Sequence, residues 1–186
     1  GAVLIDSQQA SAALNDINDV VHRVRQSRIY QTASLIIIMW GVLVFAGYIA
    51  NYTWPPQGHT IWAVVDLIGI AGSIAIAAFS GVGPGAGAFA LRLLVAFLLF
   101  IAFGIFYSAV LGHFGPRQML VFWPLFTMLF YALAGLWFGY AFIVIALGSS
   151  ALIVTAYFHA GPALLLWMAV VHGGALILGG LWMRRI

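Results

Sequence analysis

Chemistry in this chain begins with an aspartate set inside an apolar run. Asp66 is the one acid in any apolar segment, and it belongs to a series, His59, Asp66, Ser73 and Ser80, spaced seven residues apart. On a helix, seven residues fall about 20° short of two turns. The four side chains therefore form one slowly winding polar stripe, with Gly69 and Ala77 on the same face. An aspartate at the centre of a bilayer costs about 2.5–3.5 kcal/mol on insertion scales, so it is expected to face a bundle interior or a wet cavity. Two readings follow. The stripe lines a path for a proton, an ion or a small polar solute, or it is a buried polar knot that fixes helix packing.

His172 is the second ionisable group at depth, roughly ten residues in from the end of the last apolar segment, which at ~1.5 Å per residue is near mid-membrane. Gly173, Gly174, Gly179 and Gly180 follow it and permit close approach by a neighbouring helix. An Asp66–His172 pair, direct or through water, is the expected partnership, an acid–imidazole couple of the kind that gates or relays protons.

The remaining apolar-boundary histidines, His59, His113 and His159, all map to one side of the deduced topology. Convergent imidazoles would suit zinc or copper, and two at one depth would suit a haem iron. Linear spacing does not force convergence, so separate interfacial residues are expected. No cofactor is predicted, with a metal ion or haem at these positions the lesser alternative.

These groups need elements to hold them, and the composition says what those are. The chain of 186 residues is 65% hydrophobic and 6% charged, with a mean hydropathy of +1.11. Soluble domains carry about 25% charged residues, so the solvent here is lipid. Seven arginines and four aspartates make up the charge, without lysine or glutamate. The basic pI of about 9.6 thus comes from arginine beside apolar segments, which points to headgroups rather than nucleic acid. There is no cysteine, which removes disulfides, iron–sulfur clusters and thiol nucleophiles. Lysine's absence removes a retinal Schiff base, and no Walker loop, potassium filter, zinc-protease helix or Gly-x-Ser-x-Gly turn occurs. The sequence offers no catalytic set.

Six apolar segments of near the ~20 residues a bilayer requires cover roughly 33–53, 60–80, 89–112, 118–137, 139–158 and 162–183. Gly, Pro and polar clusters separate them; the weakest boundary lies between Gly135 and Gly139. The expected fold is an all-α integral membrane protein: a six-transmembrane-helix bundle over 31–186, preceded over 1–30 by an amphipathic helix lying along the cytoplasmic membrane surface. In that first helix Ala10, Ala13, Leu14, Ile17, Val20, Val21 and Val24 share one face, and Arg23, Arg25 and Arg28 at its end meet the headgroups. Fading periodicity predicts a break between it and the first span near Gln26 to Thr32. The alternative use of this helix is to bind a protein partner or a second copy. The acid-bearing start lacks the pattern of a signal peptide.

Arginine placement predicts orientation. With both termini cytoplasmic, Arg23, Arg25, Arg28, Arg92, Arg184 and Arg185 are inside and Arg117 alone is outside. The setting expected is a bacterial inner (plasma) membrane. Gly104, Ser108 and Gly112 form a small-residue stripe for packing, and Pro124 is expected to kink its helix and free a carbonyl near Leu120 for Thr127 or water. The leading functional expectation is a small channel- or transporter-like protein, homo-oligomeric, with its path along the second span and Asp66 and His172 as its titrating groups. Next stands a non-catalytic membrane subunit or sensor module that docks a cytoplasmic partner through the N-terminal helix.

Overall fold

A computed structural model describes residues 6–81 and 86–186. Among the described residues 92% are helical, no strand occurs, and six helices are long and apolar enough to cross a membrane. This is the pattern of a multi-pass membrane protein. The helices are α1 (Ser7–Thr53), α2 (Gly58–Phe79), α3 (Ala86–Ile105, continued by a π-helical turn Phe106–Leu111), α4 (Pro116–Phe138), α5 (Tyr140–His159) and α6 (Gly161–Met183). Within α6 the helix opens into a π-helical turn over Ala169–Gly173.

Pairwise packing strings the helices in the order α2, α1, α6, α5, α4, α3, with each touching its neighbours in that series. Small residues set the closest seam, as the glycines around His172 led one to expect. A Cβ on Gly41 would stand 2.9 Å from the Gly173 carbonyl, and one on Gly180 would stand 3.1 Å from the Ser34 carbonyl. Lipid supplies no hydrophobic drive between helices, so contact of this intimacy is what holds α1 to α6. Gly179 serves α5 instead, taking the Ile145 side chain. Ile37, Met128, Ile153, Met168, Leu176 and Met183 fill the middle of the bundle. The stripe on α3 packs on α4: Gly104 lies under Trp123 and Phe126, and Ser108 is fully buried, donating to the Gly104 carbonyl at 2.7 Å.

Two expectations are corrected. The break near Gln26 to Thr32 does not occur: α1 runs unbroken from Ser7 to Thr53. The stretch Gln26-Ser-Arg-Ile-Tyr-Gln-Thr32 loses its apolar period, yet it holds no Pro or Gly, and nothing in it stops a helix already nucleated on both sides. The Thr127 hydroxyl also bonds elsewhere, donating to the Trp123 carbonyl at 2.9 Å rather than to that of Leu120. A side chain reaches the carbonyl four residues back, and Leu120 lies too far along the helix.

The weak boundary between the fourth and fifth segments is a tight hairpin. Gly139 alone separates α4 from α5, at φ 134° and ψ 153°. The Tyr30 ring of α1 closes this corner, its hydroxyl accepting from the Ala141 amide at 3.3 Å. At the opposite end Arg117 ties α4 to α5. It donates to the carbonyls of Gly161 at 2.6 Å and Tyr157 at 2.8 Å, and its guanidinium stands 5.4 Å from the Tyr157 ring. The single arginine assigned to the outer side is thus a helix C-terminal cap.

Candidate functional site

The four residues of the stripe have separate fates. α2 packs on α1 through Trp62, Val65, Gly69, Gly72 and Ser73. Ser73 lies at the centre of that contact: it accepts from Trp40 Nε1 at 2.9 Å and donates to the Gly69 carbonyl at 2.7 Å, while the Trp40 ring occupies the space a Cβ on Gly69 would need. Ser80 donates to the Ala77 carbonyl at 2.7 Å. Asp66, two turns before Ser73 and about 20° further round, stands at the edge of the packed face. It is exposed, and no described residue makes a hydrogen bond or ion pair with it. His59 is likewise exposed and unpartnered among the described residues.

The Asp66–His172 pair is therefore not formed, and the expectation that Asp66 faces the bundle interior is corrected. The reason is helix order. α2 and α6 both pack on α1, and Tyr48 of α1 fills the space between them, its ring centroid 4.7 Å from that of Trp62 and 6.2 Å from that of His172. His172 is buried in the π-helical turn of α6, with Nδ1 unpartnered among the described residues; Trp62 Nε1 is in the same condition. A π-turn often marks a functional position, and two orphan polar atoms stand here against one tyrosine.

The outer histidines lie apart in role. His159 Nδ1 is 3.0 Å from the Thr155 carbonyl of its own helix, and His113 sits at φ 47° in the turn after α3. Among the described residues no group of three His, Cys, Asp or Glu side chains could hold a metal ion.

Of two further features, the sequence shows the first only as an amphipathic face and the second not at all. One is the free half of α1: from Ser7 to Arg28 every residue is exposed, including Leu14, Ile17, Val20, Val21 and Val24 at 53–62%. The signal was present, since these residues share a face, but a surface helix and a projecting one show the same pattern. The other is a cleft of about 640 Å³ where Arg28, near the inner end of α1's packed half, meets the end of α2 and Arg184 after α6. The two arginines are 156 positions apart in sequence, so no local pattern joins them. Comparison of the chain with family models, with curated proteins and with solved structures gives no match.

Proposed function

We propose that this chain is a membrane subunit, without catalysis of its own, that docks a cytoplasmic partner through the free half of α1. One observation carries the reading: apolar side chains that are more than half exposed stand on a rigid continuation of a packed helix. Twenty-two residues from Ser7 to Arg28 extend about 33 Å at ~1.5 Å per residue. Leu14, Ile17, Val21 and Val24 are spaced three, four and three apart, the a/d spacing of a coiled-coil seam. The occupant that fits is a helix of another protein. A second copy anchored in the same membrane would lie parallel and in register, setting Arg23, Arg25 and Arg28 against their own counterparts with no acid at that level. A partner carrying acids there meets no such repulsion.

Asp66 supports the same conclusion. It lies eight residues into α2, about 12 Å from the helix start, and an unpaired carboxylate at that depth calls for a polar or cationic group on a neighbouring protein. In this reading the chain is multi-pass, with both termini in the cytoplasm, and sits in a plasma membrane of the bacterial inner type, on the six-to-one arginine asymmetry. The test is particle size after gentle extraction from native membranes. The wild-type chain should migrate as part of a larger hetero-complex, and Ile17→Asp with Val21→Asp should run free of it at the mass of its own assembly. Identical migration of both overturns the proposal.

A second reading keeps transport. His59 and Asp66 stand unpartnered along one flank of α2, so a path for a proton, ion or small polar solute would run between copies in a homo-oligomer. Proteoliposomes of the purified chain test it: pH-driven flux that Asp66→Asn abolishes supports a path, and no flux above empty vesicles removes it.

A further inference from the structure

The cleft between the inner ends of α1 and α2 and the C-terminal turn holds a distinctive donor set. Ser27, Arg28, Gln31, Thr32, Ser80 and Arg184 supply its polar lining, while Leu35, Ile76 and Phe79 form the wall towards the apolar segments. No acid lines it. The nearest acid along α1 is Asp19, nine residues before Arg28, about 13 Å at ~1.5 Å per residue. Two guanidinium groups therefore share one recess without a compensating carboxylate.

One of them is held in place. Ser34 is fully buried, and its hydroxyl donates to the Gln31 carbonyl at 2.8 Å. Its lone pair then accepts from Arg184 Nη1 at 3.1 Å. A guanidinium has five N–H donors in a fixed plane, so a single bond to a buried oxygen orients Arg184 and leaves the other donors open to the cleft. Arg28 makes no hydrogen bond, ion pair or ring contact among the described residues. Hydroxyls of Ser27 and Thr32 and the amide of Gln31 surround the pair with neutral groups that can donate, while the Ser80 hydroxyl is committed to the Ala77 carbonyl.

We propose that this cleft binds a phosphate-bearing anion. Planar guanidinium forks match the paired oxygens of a phosphate better than a point cation does, and the neutral donors can reach the remaining oxygens. About 640 Å³ is within the ~300–1,000 Å³ of small-ligand pockets, room for a phosphate together with the body it is esterified to. Two sources share this chemistry. A lipid headgroup would enter with its acyl chains along Leu35, Ile76 and Phe79, and a free phosphoryl anion would enter from the aqueous side. The inference does not depend on the docking role of α1.

Native mass spectrometry of the purified full chain tests it, with phosphatidylglycerol and inorganic phosphate as separate probes. The wild-type chain should retain one probe molecule, and Arg28→Gln should weaken that binding by about tenfold, as loss of a charge-assisted contact does. Arg28 is exposed and makes no hydrogen bond or ion pair among the described residues, so the variant should keep the wild-type unfolding midpoint and report on binding. Arg23→Gln with Arg25→Gln, which removes more charge outside the cleft, should leave binding unchanged. Retention of phosphatidylglycerol without inorganic phosphate assigns a lipid headgroup; retention of inorganic phosphate assigns a free phosphoryl anion. Binding of neither probe, or equal loss in the Arg23/Arg25 variant, overturns the site.

Discussion

Gly139 shows how much of this fold hangs on single side chains. A residue with a Cβ would be strained at φ 134°, and the added carbon would run into the Tyr30 hydroxyl. Gly139→Ala is expected to destabilise the purified protein by about 2–4 kcal/mol, read as a lowered unfolding midpoint; in a Tyr30→Phe background the added penalty should shrink, because the clashing oxygen is gone. Arg117→Gln removes two carbonyl bonds at the end of α5 and should cost about 1–3 kcal/mol in the same measurement. For Asp66 the direction is opposite. Its carboxylate makes no hydrogen bond or ion pair with a described residue, so Asp66→Leu should leave the isolated protein as stable as before or slightly more so, while depleting it from the proposed hetero-complex. A clear drop in the unfolding midpoint would mean that Asp66 has a partner within the bundle. The sequence makes Asp66 conspicuous but is silent on its direction: a seven-residue stripe winds across the contact face and its flank alike, and only the placement of Trp40 and Val65 decides which part is covered.

Among the elements, the six apolar segments were readable to within a few residues, because hydropathy over twenty residues outweighs any local detail. The Gly135–Gly139 boundary was also visible as glycine, though its single-residue turn depends on the Tyr30 ring, a partner more than a hundred positions away. α1 is where the reading failed. Loss of amphipathic period marks a change of surroundings, from solvent to packed bundle, and was mistaken for a change of backbone. Spin labels at positions 12 and 36 measure the difference. A continuous helix separates them by about 36 Å, and a helix turned into the membrane plane near residue 28 would bring them clearly closer.

As a whole molecule, the chain is a bundle whose interior is mostly apolar, His172 and a few serines apart, and closed by glycine seams, while much of its unusual chemistry, Asp66, His59, the α1 stripe and the arginine cleft, lies on outward surfaces. That distribution favours a role fulfilled in company with other molecules over one performed inside a single copy. The orientation proposed from the arginines is testable: cysteines placed at positions 10 and 186 should be shielded from an impermeant thiol reagent added outside cells, and those at 57, 115 and 161 should react. The most direct test of docking is site-specific photo-crosslinking in native membranes. Crosslinkers at positions 17 and 21, on the apolar stripe, should capture one and the same foreign protein, and those at 16 and 23, off the stripe, should capture it far less. Capture of lipid alone, or of a second copy of this chain, from positions 17 and 21 would contradict the docking role.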